Sequence, residues 1–164
     1  MKVPKTQKLS ASLEDYLEAI FNLAGDAQGA HSKDIAEALG VARSSVTGAL
    51  QALKERGLAN YRPYKCITLT PQGRVAAEEV VRKHNILTSF FISVLGVEKD
   101  AAQKAACKAE HALGPEIIGR LLSFIDYVTA SNKNGHDVAS EFRQFYEKQS
   151  NVRRKTRDRT GRPR

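Results

Sequence analysis

Apolar side chains recur at helical spacing through most of the chain. Leu13, Leu17, Ile20 and Phe21 make a first stripe behind Ser12, and "SLED" matches the S-x-x-D/E capping pattern, which predicts a helix from Ser12 to near Gly25. "GDAQGA" reads as a turn. A short second helix follows, with Ser32 as N-cap, Ile35, Ala36 and Leu39 on its buried side and Gly40 as its stop. A third begins almost at once in "RSSVTGALQALKERG", where Val46, Leu50 and Leu53 form the stripe and Gly57 the C-terminal stop.

The period then changes. "LANYRPYKCITLT" alternates, turns at "RPYK" and resumes in β-branched residues, the pattern of a two-stranded hairpin. Thr70-Pro71 caps a long helix whose stripe (Val75, Ala76, Val80, Ile86, Leu87, Phe90, Phe91, Val94) continues to about Gly96. Three further helices are expected, at about 98–113, 115–130 and 136–149. No repeat of solenoid length appears.

Helix, short helix, tight turn, helix and hairpin is the order of a winged helix-turn-helix. In "LGVARSS" Gly40 permits the bend, and Val41 is expected to pack between the two helices. The second helix of such a pair enters the major groove with its N-terminal residues leading. Here these are Arg43, Ser44, Ser45 and Thr47, with Gln51 one turn on. Short hydroxyls allow close approach, the helix N-terminus favours a phosphate, and Arg43 or Gln51 suits a base edge. The wing tip Arg62, Tyr64 and Lys65 is expected along the DNA backbone.

The 164 residues suffice for one domain or two small ones. The N-terminus lacks an apolar signal core, and no apolar run reaches the ~20 residues of a membrane span. With two cysteines and no disulfide framework, a cytoplasmic location with reduced thiols is expected. The net charge of +8 divides as +3 over residues 1–74, −1 over 75–150 and +6 over 151–164. The excess thus sits in the tail "NVRRKTRDRTGRPR", read as disordered and solvated. Such a tail is weak evidence for a polyanion partner.

"CKAEH" places Cys107, Glu110 and His111 at i, i+3 and i+4 of a helix. Three donors on one helix cannot surround an ion, so further ligands must come from elsewhere. Asp15 and Glu18 are i, i+3 on the first helix, and His84 lies among apolar neighbours in the long one. The residues alone leave two readings open: a metal site, or a capping Asp15, a solvated Glu18, a surface His84 and a small core Cys107.

Taken together, "SLEDYLEAI", "SKDIAEALGVARSSVTGALQALKERGL", "ITLTPQG", the His84 of "VRKH" and "CKAEH" resemble, in order and over roughly residues 9–130, the diphtheria-toxin-repressor family of metal-activated transcription regulators, which includes the manganese transport regulators. The resemblance implies a mostly α fold, with a winged helix-turn-helix DNA-binding domain at 12–73 and an all-helical metal-binding and dimerisation domain at 74–149. Disordered basic segments are expected at 1–11 and 150–164.

The resemblance also implies Asp15, Glu18, His84, Cys107, Glu110 and His111 as ligands for Fe(II) or Mn(II), double-stranded operator DNA and a homodimer as partners, and repression of metal-uptake genes. Asp15 and Glu18 look like the manganese-responsive members and Cys107 like the iron-responsive ones. Softer thiolate ligation tilts the expectation slightly to iron. The ancillary metal site of the larger members is not expected, because Gln103 and Thr88 stand in its places. Nor is their SH3-like domain expected. The dimer surface is expected at Phe90, Phe91, Ile117, Ile118, Leu121, Leu122 and Ile125. Two other classes compete: a winged-helix regulator of organic ligands, and a metalloenzyme. Against the enzyme, no phosphate loop, nucleophile elbow or H-E-x-x-H motif is present.

Overall fold

The computed structural model describes residues 9–24, 29–133 and 137–159, and the chain forms two compact units, Met1–Arg82 and Lys83–Arg164. Residues 25–28 of the expected "GDAQGA" turn and the outermost residues of both termini lie outside the described residues, as does part of "SNKNG".

The first unit holds α1 (Ala11–Ala24), α2 (Ser32–Leu39), α3 (Arg43–Glu55), the antiparallel strands β1 (Ala59–Asn60) and β2 (Thr68–Leu69), and the start of α4 (Pro71–Ser89). Its core draws on every one of the larger elements. Leu17 and Ile20 of α1, Ile35 of α2, Val46, Leu50 and Leu53 of α3 and Ile67 beside β2 are all fully buried. Burial of each such side chain contributes about 1.5–3 kcal/mol.

The helix-turn-helix closes by backbone geometry. Gly40 is left-handed (φ 64°), with Gly40 N–H donating to the Glu37 carbonyl and Val41 N–H to that of Ala36. Gly57 (φ 70°) and Leu58 repeat the same double bond at the end of α3, to Lys54 and Leu53. Val41 therefore serves the turn through its backbone. Its side chain is exposed rather than packed between the helices, because the left-handed residue before it turns the chain outward.

Two caps differ from expectation. α1 starts one residue before Ser12, and Ser10 Oγ accepts from Leu13 N–H at 3.4 Å. Capping by Ser12 therefore does not account for Asp15. α2 includes Ser32, and its N-cap is His31, whose side chain makes no cap bond. Thr70 caps α4 as expected. Its Oγ1 accepts from Gly73 N–H at 3.0 Å and donates to the Gly57 carbonyl at 2.6 Å.

The hairpin pairs Ala59 with Leu69 and Asn60 with Thr68, so its strands are shorter than the alternating pattern suggested. The segment before α2 adds a pairing that the pattern did not reveal. Ala30 and Ile67 exchange both backbone bonds, each at 2.8 Å.

The division between the units falls inside α4, nine residues beyond the boundary expected after residue 73. In the second unit the helix widens into a π-helical turn, Phe90–Val94, and ends at Gly96 (φ 69°). α5 (Lys99–Ala109), α6 (Pro115–Lys133) and α7 (Val138–Arg159) follow. Glu98 caps α5 by accepting from Asp100 and Ala101 N–H, and these bonds hold its carboxyl below the usual range. Ile86, Leu87, Ala106 and Ile118 form one core cluster, and Val94, Val128 and Ala139 a second.

Arg143 of α7 donates from Nη1 to the Ser93 carbonyl at 2.7 Å, which pins α7 to the π turn. α7 runs through Arg159, so the segment expected to be disordered from 150 is helical over most of its length. Its dense Arg and Lys content is compatible with helix, both being good helix formers.

Candidate metal centre and nucleic-acid interface

Glu110 is the one buried charged side chain among the described residues, with its carboxylate at 0% exposure. Burying a carboxylate is costly unless hydrogen bonds or opposite charge compensate. The hydrogen bond comes from the imidazole of His84. His84 Nδ1, from α4, lies 2.8 Å from Glu110 Oε2, and His111 Nε2 lies 3.4 Å from Oε1. Cys107 Sγ and a Glu110 oxygen are within 4.8 Å of each other.

α5 is shorter than expected, ending at Ala109. Cys107 occupies its last turn, Glu110 its C-cap, and His111 the turn beyond. The chain tightens there because Ala112 and Leu113 N–H both return to the Ala109 carbonyl. The three donors thus do not lie along one regular helix face. A helix end followed by a turn directs His111 separately.

Carboxylate, two imidazoles and a thiolate suit a divalent first-row transition ion, so the residues fit the expected group. Asp15 and Glu18 stand together in the first unit, both half-buried on α1. The Asp15 charge, after burial itself, raises the neighbouring Tyr16 hydroxyl above its ordinary pKa.

The other expected side chains fall in two groups. Arg43, Ser44, Ser45, Thr47 and Gln51 are all exposed on α3, while Val46 and Leu50 between them are buried. Thr47 Oγ1 donates to the Arg43 carbonyl at 3.2 Å, leaving its oxygen as an acceptor. At the wing tip Lys65 N–H closes on the Arg62 carbonyl, and Tyr64 takes a left-handed φ of 63° that is uncommon outside glycine. Its side chain stands clear of the protein, and Arg62 and Lys65 are exposed beside it.

Of the expected dimer residues, Ile117 is 49% exposed, while Phe90, Phe91, Leu121, Leu122 and Ile125 are half-buried against the core. Ile118 is 1% exposed and belongs to the protomer's own core, because α6 turns it toward Ile86 and Leu87. Phe124 and Tyr127, absent from the expected set, are also exposed on α6, with Phe124 edge-on to Phe90 at 6.1 Å. Their spacing from Ile117, seven and ten residues along the helix, is the signal that marks them.

Comparison with known proteins agrees with this architecture. Residues 8–67 match the iron dependent repressor N-terminal DNA binding domain, and residues 70–138 its metal binding and dimerisation domain. An uncharacterised helix-turn-helix transcriptional regulator of Methanocaldococcus jannaschii is 36% identical, over 72% of this chain and 95% of that one. The regulator MntR of Lysinibacillus sphaericus is 34% identical, over 70% of this chain and 81% of its own length. A manganese-dependent transcriptional repressor solved with manganese superposes with a TM-score of 0.64 at 30% identity, over 70% of this chain. The match spans only 53% of that longer structure. These relatives are transcriptional regulators rather than enzymes. The chain belongs to the iron-dependent repressor family, metal-dependent transcription regulators that join a DNA-binding domain to a metal-binding and dimerisation domain.

Proposed function

We propose that this protein is a cytoplasmic homodimeric repressor of metal-uptake genes, activated by Fe(II) or Mn(II). The observation that carries the reading is the buried Glu110 carboxylate, flanked by His84 and His111 and adjoined by Cys107, in the segment that matches a metal-binding domain. In this reading Asp15 and Glu18 of α1 are ligands as well. A divalent ion held by these residues would supply the positive charge that offsets their carboxylates.

His84 holds Glu110 in orientation before binding, which lowers the ordering cost. Ligands on α1 couple the site to the helix-turn-helix that follows it. α3 presents Arg43, Ser44, Ser45, Thr47 and Gln51 to the major groove, and Arg62, Tyr64 and Lys65 lie along the phosphates. Two half-sites about one helical turn apart, ~34 Å, demand a fixed spacing of the two α3 helices in a dimer. Metal and DNA binding are then reciprocal, each tightening the other by the same factor.

The test is operator affinity measured anaerobically with and without Fe(II) or Mn(II), for wild type and His84→Ala. Affinity should rise with metal in wild type and respond much less in the variant. Equal affinity under all of these conditions would overturn the proposal.

A further inference from the structure

A cysteine and a histidine outside the expected metal ligands meet within the first unit. Ala30 and Ile67 form an antiparallel pair that exchanges both of its backbone bonds. The next pair along such a ladder, His31 with Cys66, has no bonds of its own and brings its side chains closest together. Cys66 Sγ accordingly lies 3.9 Å from His31 Nε2.

The packing beneath fixes this arrangement. Gly29 has a left-handed φ of 73°, and a Cβ there would come within 3.0 Å of Cys66 Cβ and 2.8 Å of the Ile67 carbonyl. Both Cys66 and His31 are exposed, and Cys66 is a free thiol that directly follows Lys65 of the wing tip.

Two kinds of chemistry use a thiol and an imidazole. Metal binding needs three or four protein ligands, and among the described residues no further His, Cys, Asp or Glu joins this pair as a third donor. The other chemistry is that of a nucleophile with an adjacent base, and two side chains suffice for it. The exposed position gives a small oxidant free access.

We propose that Cys66 is a peroxide-reactive thiol with His31 as its base, so that the wing carries a modification site. The Cys66 thiol proton passes to His31 Nε2. The thiolate sulfur attacks one peroxide oxygen, a sulfur–oxygen bond forms and the oxygen–oxygen bond breaks. The leaving hydroxide takes the proton back from the imidazolium and departs as water. Sulfur is oxidised by two electrons to a sulfenic acid, and the peroxide is reduced by the same two.

The test uses the full-length, metal-free protein treated with hydrogen peroxide in the presence of a sulfenic-acid trap. Labelling is followed site by site by mass spectrometry, with Cys107 as the internal reference. The His31 side chain makes no cap bond to α2, so its substitution should leave the fold intact. His31→Gln should slow labelling of Cys66 by about tenfold or more and leave Cys107 unchanged, as expected for loss of a positioned base. Free imidazole should restore Cys66 labelling in His31→Ala, which a purely structural role for His31 would not allow. Equal Cys66 rates in wild type and His31→Gln, or no restoration by imidazole, would overturn the proposal.

Discussion

His84 on α4 and Glu110 at the end of α5 are joined Nδ1 to Oε2 across 2.8 Å, and the carboxylate is fully buried. Loss of the imidazole leaves that carboxylate short of a strong partner. His84→Ala should therefore destabilise the metal-free protein by about 1.5–3 kcal/mol, the range for hydrogen bonds to charged groups. Urea unfolding should show a lower midpoint at unchanged slope. An unchanged midpoint would mean that the pair contributes nothing before metal arrives.

Metal choice is expected to follow residue 107. A thiolate favours softer ions than a carboxylate does. Cys107→Glu should shift the Fe(II)-to-Mn(II) affinity ratio towards Mn(II), read by anaerobic competition titration. A ratio that does not move would remove Cys107 from the ligands that set selectivity.

The exposed wing cations should act through phosphate. Arg62→Ala and Lys65→Ala should each weaken binding to all DNA sequences alike and reduce the slope of log affinity against log salt by about 1. Metal dependence should persist in both. A change confined to one operator sequence would instead place these side chains on bases.

Two glycines should respond in opposite directions. A Cβ at Gly73 would fall 1.8 Å from the Leu58 carbonyl oxygen, a backbone atom with no freedom to swing away. Gly73→Ala should cost about 1–3 kcal/mol. Gly48, inside α3, has nothing within 4 Å of its Cβ position, and Gly48→Ala should gain roughly 0.5–1 kcal/mol. Thermal unfolding of the two variants distinguishes these outcomes.

Where periodicity and capping act locally, the chain could be read directly. α3, the Thr70-Pro71 start of α4 and the left-handed stops at Gly40, Gly57 and Gly96 all follow from residues within a turn of each other. What local pattern missed depends on distant partners. The Ala30–Ile67 pairing joins segments 37 residues apart. The burial of Ile118 depends on Ile86 and Leu87 of another helix. The candidate ligands were legible by type, and the family resemblance supplied their grouping. The early end of α5, which separates His111 from Cys107, was hidden because alanine-rich sequence carries no stop signal before Gly114.

The π turn at Phe90–Val94 has the effect of a phase shift. Its bond from Leu95 N–H to the Phe90 carbonyl spans five residues instead of four. One surplus residue turns everything after it by about 100° relative to a plain α-helix. That is how a single apolar stripe serves two destinations. Ile86 and Leu87 reach one core cluster before the slip, and Val94 reaches the other after it. Removing one residue here would leave composition and hydropathy almost untouched, yet it would swing Val94 away from Val128 and Ala139 and take the Ser93 carbonyl from Arg143. In this helix, residue count carries information that residue type does not.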